Sequence, residues 1–337
     1  MLQRINGYQK YALPGFLVLL AVFPLAVKND YLIRIGINVL LYAVLAGSLN
    51  VINGYSGQFN IGQAGFYCIG AYTAGILATR FGFGFWLLLP LSGLMAALAS
   101  CFLGLPTSRM KGVFLAITTL GFSEIVRLIV INWTALTRGP MGIPGIPLPK
   151  LGDWVIKSNT QFYFIILGIA VIMLLTTHRV IHSRVGRAWI AIREDEPAAR
   201  SLGVSPFVYK LLNLCYGTFW AGVAGCFYAF FASYISADSF TLDEGFSILA
   251  MILVGGQGTL AGPVVGAFTL TVLPEIFRFT AQYRLVVFGL IILVIMFIRP
   301  QGIVGSGVLS RRYRAVLPKM GRGRPPGRPA TAPNERG

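Results

Sequence analysis

The chain has 337 residues, 55% of them hydrophobic and only 12% charged, whereas soluble domains carry about 25% charged residues; this balance argues against a soluble fold. The formal net charge of +17 suggests nucleic-acid binding until the charges are placed. Of the 39 residues in 299–337, nine are Arg or Lys and only Glu335 is acidic, so the excess gathers in a basic tail after an apolar helix, which attraction to anionic lipid explains without a nucleic-acid partner.

In chain order, the first ten residues carry Arg4 and Lys10. The apolar run 11–27 follows with no small-residue cleavage site, so it reads as a retained helix and not as a signal peptide. Further apolar segments cover 31–52, 66–79, 85–105, 113–132, 161–177, 211–232, 246–254, 263–276 and 285–298. A crossing takes about 20 residues, so the segments at 246–254 and 263–276 read as tilted, broken or re-entrant. The expectation is an all-α, polytopic bundle of about ten transmembrane helices with broken or re-entrant Gly-rich segments. It forms a transmembrane domain over 1–300, followed by a basic tail over 301–337 too rich in Pro, Gly and Arg to fold alone.

Loop charges give the orientation, because Lys and Arg accumulate on the cytoplasmic side. Segment 178–210 carries Arg179, Arg184, Arg187, Arg193, Arg200 and Lys210 and is the best cytoplasmic candidate. Counting from it puts the N-terminus, Arg109, Lys111 and the tail inside, and Asp238, Asp243 and Glu244 outside. The loop 133–160 falls outside although Arg138, Lys150 and Lys157 face only Asp153, a local exception to the rule.

Cys68, Cys101, Cys215 and Cys226 all lie in apolar segments, with no ligand at metal-binding spacing, and read as small core residues. His178 and His182 stand four apart but lack further ligands, which suits a solvated interface better than a metal; no metal site is expected.

Segment 53–65 is polar and glycine-rich between two apolar runs. Irregular backbone at membrane depth must be buried in protein or line a water-filled cavity. The amides of Gln58, Asn60 and Gln63 can donate and accept without a charge; they suit either a path for a zwitterion or a tight turn with close helix packing. Gly256-Gln257 echoes Gly57-Gln58, each followed by further glycines, as in a duplicated unit or by chance usage of glycine in membrane helices. Glu124 and Arg127 stand three apart, on one face of an otherwise apolar helix. An isolated charge there costs about 2.5–3.5 kcal/mol, so mutual pairing or exposure to a cavity follows.

In segment 186–204 an acidic cluster, Glu194, Asp195 and Glu196, precedes Pro197, Ala198 and Ala199. Carboxylates near a helix start and Gly203 at its end describe a short amphipathic helix suited to a groove on a partner. Glu196, Ala198, Ala199 and Gly203 resemble the EAA loop of ABC-importer permeases, with one residue inserted after the Glu. Residues 54–72, 118–142, 186–204 and 245–267 together look like the LivM-type branched-chain amino-acid permeases, over nearly the whole chain from the second span to the last.

The resemblance implies a permease subunit in the bacterial inner membrane that is not itself an enzyme and binds no cofactor. Its implied partners are a LivH-type permease, two cytoplasmic ABC ATPases that use ATP-Mg, and an external solute-binding protein. Glu194, Asp195, Glu196, Ala198, Ala199 and Gly203 would dock on an ATPase, while Gln58, Asn60, Gln63, Glu124 and Gln257 are translocation-path candidates. Leucine, isoleucine and valine are the implied substrates, with urea and short amides as related solutes. The chain itself holds no G-x-x-x-x-G-K-[ST] phosphate loop, so the ATPase must be separate. The competing class is an ion-gradient-driven transporter or channel, for which only Glu124 and Glu275 are placed to serve.

Overall fold

The computed structural model describes residues 29–276 except 109, 111, 152 and 153, together with 23–24, 289, 293, 297 and 302–304. The expected span 11–27 apart from Phe23 and Pro24, the span 285–298 apart from three isolated positions, Arg4, Lys10, Arg109, Lys111, Asp153 and the tail past 304 lie outside the described residues.

Asn29 opens helix α1 (Asp30–Asn50), its side-chain oxygen accepting from the Tyr31 amide at 3.0 Å and so satisfying a donor that a helix start leaves unpaired. From Val39 onward α1 is buried on every side apart from Tyr42, which places it inside the bundle. A π-helical turn, Val51–Tyr55, continues it. The polar loop 56–62 leads to α2 (Gln63–Phe81), which stops at Gly82, with φ of 67°. Helices α3 (Phe85–Thr107) and α4 (Val113–Asn132) follow.

The long connection after α4 contains the single turn α5 (Thr134–Thr137), strand β1 (Ile143–Pro144) and a small hairpin of β2 (Lys150–Leu151) with β3 (Trp154–Val155). Helix α6 (Asn159–His182) starts at a capping box: the Ser158 hydroxyl accepts from the Thr160 amide at 3.3 Å and Gln161 Oε1 accepts from the Ser158 amide at 3.2 Å. Two short helices, α7 (Arg184–Glu194) and α8 (Glu196–Ser201), precede α9 (Pro206–Ala232). Strand β4 (Tyr234–Ile235) then pairs antiparallel with β1, and α10 (Leu242–Gly255) and α11 (Gly262–Ile276) complete the described fold.

Among the described residues five helices are long and apolar enough to cross a membrane: α1 with its π turn, α3, α4, α6 and α9. Every apolar segment expected between 31 and 276 is helical, and most helices outrun the apolar run. The α9 helix starts at Pro206 and not at 211 because Lys210 is buried and finds partners inside the protein. Likewise Gln63 joins α2 because its amide bonds Ser48. With 14 and 15 residues, α10 and α11 reach about 21–22 Å at 1.5 Å per residue, short of the roughly 30 Å hydrocarbon core. They pack on each other and on α1 as a helical hairpin turning at 256–261.

The centre of the bundle is the packing of α9 on α2 and α3. Lipid tails are as apolar as the helix surfaces, so association rests on close fit through small residues. A Cβ on Gly222 would lie 2.5 Å from the Ser92 carbonyl oxygen and 2.7 Å from Ala96 Cβ. Gly70 meets Gly222 and Gly225 meets the backbone of Tyr67 and Ala71, so three helices cross nearly backbone to backbone.

Candidate functional site

At one end of the bundle the loop 56–62, α7, α8 and the start of α9 surround an open cleft of about 380 Å³, whose lining includes Gln58, Thr107, Leu115, Arg193, Glu196 and Lys210. Ser183 caps α7, accepting from the Val185 amide at 3.2 Å, and Trp189 is buried with its indole donating to the Tyr209 carbonyl at 2.9 Å. These contacts pin α7 across the base of α9.

The acidic segment does not form one continuous helix. It breaks at Asp195, whose extended backbone ends α7 and whose carboxylate caps α8 by accepting from the Ala198 amide at 3.0 Å. Pro197 sits in the first turn of α8, where its missing amide hydrogen costs nothing. At the far end Gly203 adopts φ of 81°, and the Val204 amide donates to the Ala199 carbonyl at 3.1 Å, the backbone reversal glycine permits at a helix end.

Glu196 bridges Lys210 at 3.0 Å and Arg200 at 3.2 Å. The Lys210 side chain is only 9% exposed, so this pair clamps α8 to α9 and draws the Glu196 carboxylate inward. Ala199 is buried beneath α8. Glu194, Asp195, Pro197, Ala198, Ser201, Leu202 and Gly203 are exposed and form the outer surface of the segment.

The three amides of the polar loop are turned inward. Gln58, Asn60 and Gln63 are 8%, 1% and 0% exposed. Gln58 Nε2 donates to the Lys210 carbonyl at 3.1 Å and to Asn213 Oδ1 at 3.2 Å, while Asn213 Nδ2 donates to the Val51 carbonyl at 3.1 Å. Asn53 and Asn60 exchange two bonds of 3.0 Å, and Gln63 Nε2 donates to the Ser48 hydroxyl at 2.6 Å. Asn60 Nδ2 and Gln63 Oε1 are buried without a partner among the described residues.

The second glycine break lies against the first. Asn50 Oδ1 accepts from the Gly258 amide and Asn50 Nδ2 donates to the Thr259 carbonyl, both at 2.8 Å. Gln257, half-buried, sits in this turn, between Gly256 with φ of 118° and Gly258 with φ of 73°. Arg193 reaches from α7 into the junction: its guanidinium donates to the Gly54 carbonyl, and its side chain lies beside Gly57 and Gly258. Ser48, Asn50, Arg193, Lys210 and Asn213 also belong to this network, and the sequence does not single them out as site residues.

Glu124 and Arg127 stand apart from this cluster. Arg127 Nη2 donates to Glu124 Oε1 at 2.7 Å and Nε lies 3.1 Å from both carboxylate oxygens. The side chains are 29% and 24% exposed respectively, at the middle of α4. Glu275 accepts a hydrogen bond from the Tyr31 hydroxyl near the opposite end of α1. The structure also brings together two thiols that are far apart in the sequence: Cys101 Sγ on α3 lies 3.2 Å from Cys215 Sγ on α9.

Comparison with known proteins places this geometry in context. Residues 31–298 match a family described as branched-chain amino acid transport system / permease component. The high-affinity branched-chain amino acid transport system permease protein LivM of Escherichia coli (strain K12) is 38% identical over 319 residues, covering 88% of this chain and 75% of that protein. The probable LivM permease of Methanocaldococcus jannaschii is 27% identical, covering 78% of this chain and 90% of the relative. The Escherichia coli (strain K12) LivH permease is also 27% identical, covering 78% and 91%. No solved structure matches the chain.

Proposed function

This chain belongs to the LivM-type family of branched-chain amino acid ABC permeases, and on that premise we propose that it is the membrane-spanning half of an ATP-driven importer. Its substrates are leucine, isoleucine and valine, with urea or short amides as related solutes. A LivH-type permease forms the other half, an external binding protein delivers solute, and two cytoplasmic ATPases using ATP-Mg drive the cycle. The chain crosses the bacterial inner membrane about ten times, with the N-terminus and the basic tail on the cytoplasmic side, as a permease domain over 1–300 and a tail over 301–337.

The observation that carries this reading is the preformed α8 surface. Asp195 caps it, Gly203 closes it and the Glu196–Lys210 bridge fastens it to α9, while its outer face is left exposed. A short helix held rigidly and presented outward is suited to a groove on a partner. Glu194, Asp195, Ala198 and Gly203 supply the docking face, and Glu196 and Ala199 hold it in place. Behind it, Gln58, Asn60, Gln63 and Gln257 shape the cytoplasmic end of the path and Glu124 lies further along it.

The test is Gly203→Gln. A Cβ there meets nothing within 4 Å, so the substitution acts through the positive φ, at about 1–2 kcal/mol, and through bulk on the docking face. Solute-stimulated ATP hydrolysis and uptake fall together, while solute binding by the external protein is unchanged. Uptake that persists on an ion gradient after ATP depletion, with Gly203→Gln fully active, would replace this reading by a gradient-driven carrier or channel.

A further inference from the structure

The Glu124–Arg127 pair stands at the middle of a 20-residue helix, and both side chains keep about a quarter of their surface exposed. Ile117, Ile125, Leu128 and Ile129 of the same helix are exposed as well. Charged groups at bilayer mid-depth do not face lipid; they face water-filled cavities or other protein. Glu124 shares its face of α4 with the exposed Ile117 and Leu128, so that face meets a water-filled space or other protein and not the acyl chains.

Behind this face α4 rests directly on the glycine-rich loop. Thr119 Oγ1 accepts from the Ile61 amide at 3.1 Å, and a Cβ on Gly65 would lie 2.8 Å from Ser123 Cα. The pair is thus one turn from the end of the polar loop. Among the described residues each is the other's only ion-pair partner. One turn from Glu124, Gly121 leaves open space, with no atom within 4 Å of where its Cβ would be. Leu120 and Leu128 lie one turn to either side of Glu124, at i−4 and i+4.

We propose that the Glu124–Arg127 pair is a recognition station for a zwitterionic α-amino acid, Arg127 taking the carboxylate, Glu124 the ammonium, and the space at Gly121 the aliphatic side chain. This rests on the transport reading given above and deepens it. The pair is a ready-made complement: a guanidinium fork matches a carboxylate in two bonds, and a carboxylate one turn away accepts from the ammonium. Being partly exposed, the two side chains exchange each other for the ligand at modest cost. Zwitterion and aliphatic group are thereby read on one helix face.

The test uses the whole complex, with partner permease, ATPases and binding protein, reconstituted in vesicles and supplied with leucine. Glu124→Gln, Arg127→Lys and the exchange Glu124→Arg with Arg127→Glu are compared at equal subunit stoichiometry. Arg127→Lys keeps the charge and its insertion but loses the fork, and leucine uptake falls about tenfold, as expected for one charge-assisted bond. Glu124→Gln falls as far, and the exchanged pair assembles but stays impaired, because the charges are presented in the wrong order. Parental uptake by the exchanged pair would show that the charges only pair with each other and would overturn the proposal, as would parental uptake by Arg127→Lys. Absence of ATP-dependent leucine uptake in the parental complex would instead remove the transport reading beneath it, a separate outcome.

Discussion

Arg193 is the side chain through which the outer segment touches the interior. Its guanidinium donates to Gly54 and lies beside Gly258, so one group on α7 meets both glycine breaks. A hydrogen bond from a charged donor contributes about 1.5–3 kcal/mol, and Arg193→Ala removes it without altering the exposed face of α8. The expected result is a complex that still assembles and hydrolyses ATP but moves several-fold less solute per ATP, with Arg193→Lys intermediate; an unchanged ratio would show that Arg193 only packs. The sequence marks Arg193 as one of six basic residues in 178–210, and nothing local separates it from Arg187 or Arg200. Its partner lies 139 positions away, as the partners of Asn50 lie 208 and 209 away. The helix end at Gly203 and the carboxylates at the helix start were legible because their chemistry is local, whereas only the structure shows which carboxylate, Asp195, is the cap.

At the scale of elements, every apolar run between 31 and 276 is helical, but run length passes over the short helices α5, α7 and α8 and sets boundaries short where a polar residue bonds inside the protein, as Gln63 and Lys210 do. The short runs at 246–254 and 263–276 read as tilted, broken or re-entrant segments; that α10 and α11 pack together as a hairpin is seen only in the structure. The π turn at Val51–Tyr55 gave no signal, since it depends on Asn53 and Asn213 bonding across the junction. Nor does composition tell a glycine that permits a crossing from one that does not. Gly222 lies against α2 and α3, whereas a Cβ on Gly168 in α6 meets nothing within 4 Å. Overpacking costs about 1–3 kcal/mol or more, so Gly222→Leu should sharply lower the yield of protease-resistant protein in the membrane, while Gly168→Leu leaves it near parental. Equal yields from the two variants would contradict the packing of α9 on α2 and α3.

For the whole molecule, hydropathy gave an all-helical membrane bundle, and loop charge gave an orientation for it. The 27 residues of α9 span about 40 Å at 1.5 Å per residue and separate α8 from the 3-10 turn Ala237–Phe240 at the other end. Ser201 and Asp238 are both exposed. In a background without the four native cysteines, a cysteine at Ser201 should react only from the cytoplasmic side and one at Asp238 only from outside; labelling of both from one side would defeat the orientation. What hydropathy could not give is how the two glycine breaks meet. A single carboxamide, that of Asn50, holds the second break by one donated and one accepted bond, and it belongs to the helix that ends in the first. The two breaks are therefore not independent: whatever displaces one strips hydrogen bonds from the other, and the junction holds or lets go as a single latch, shut or released but not half-drawn.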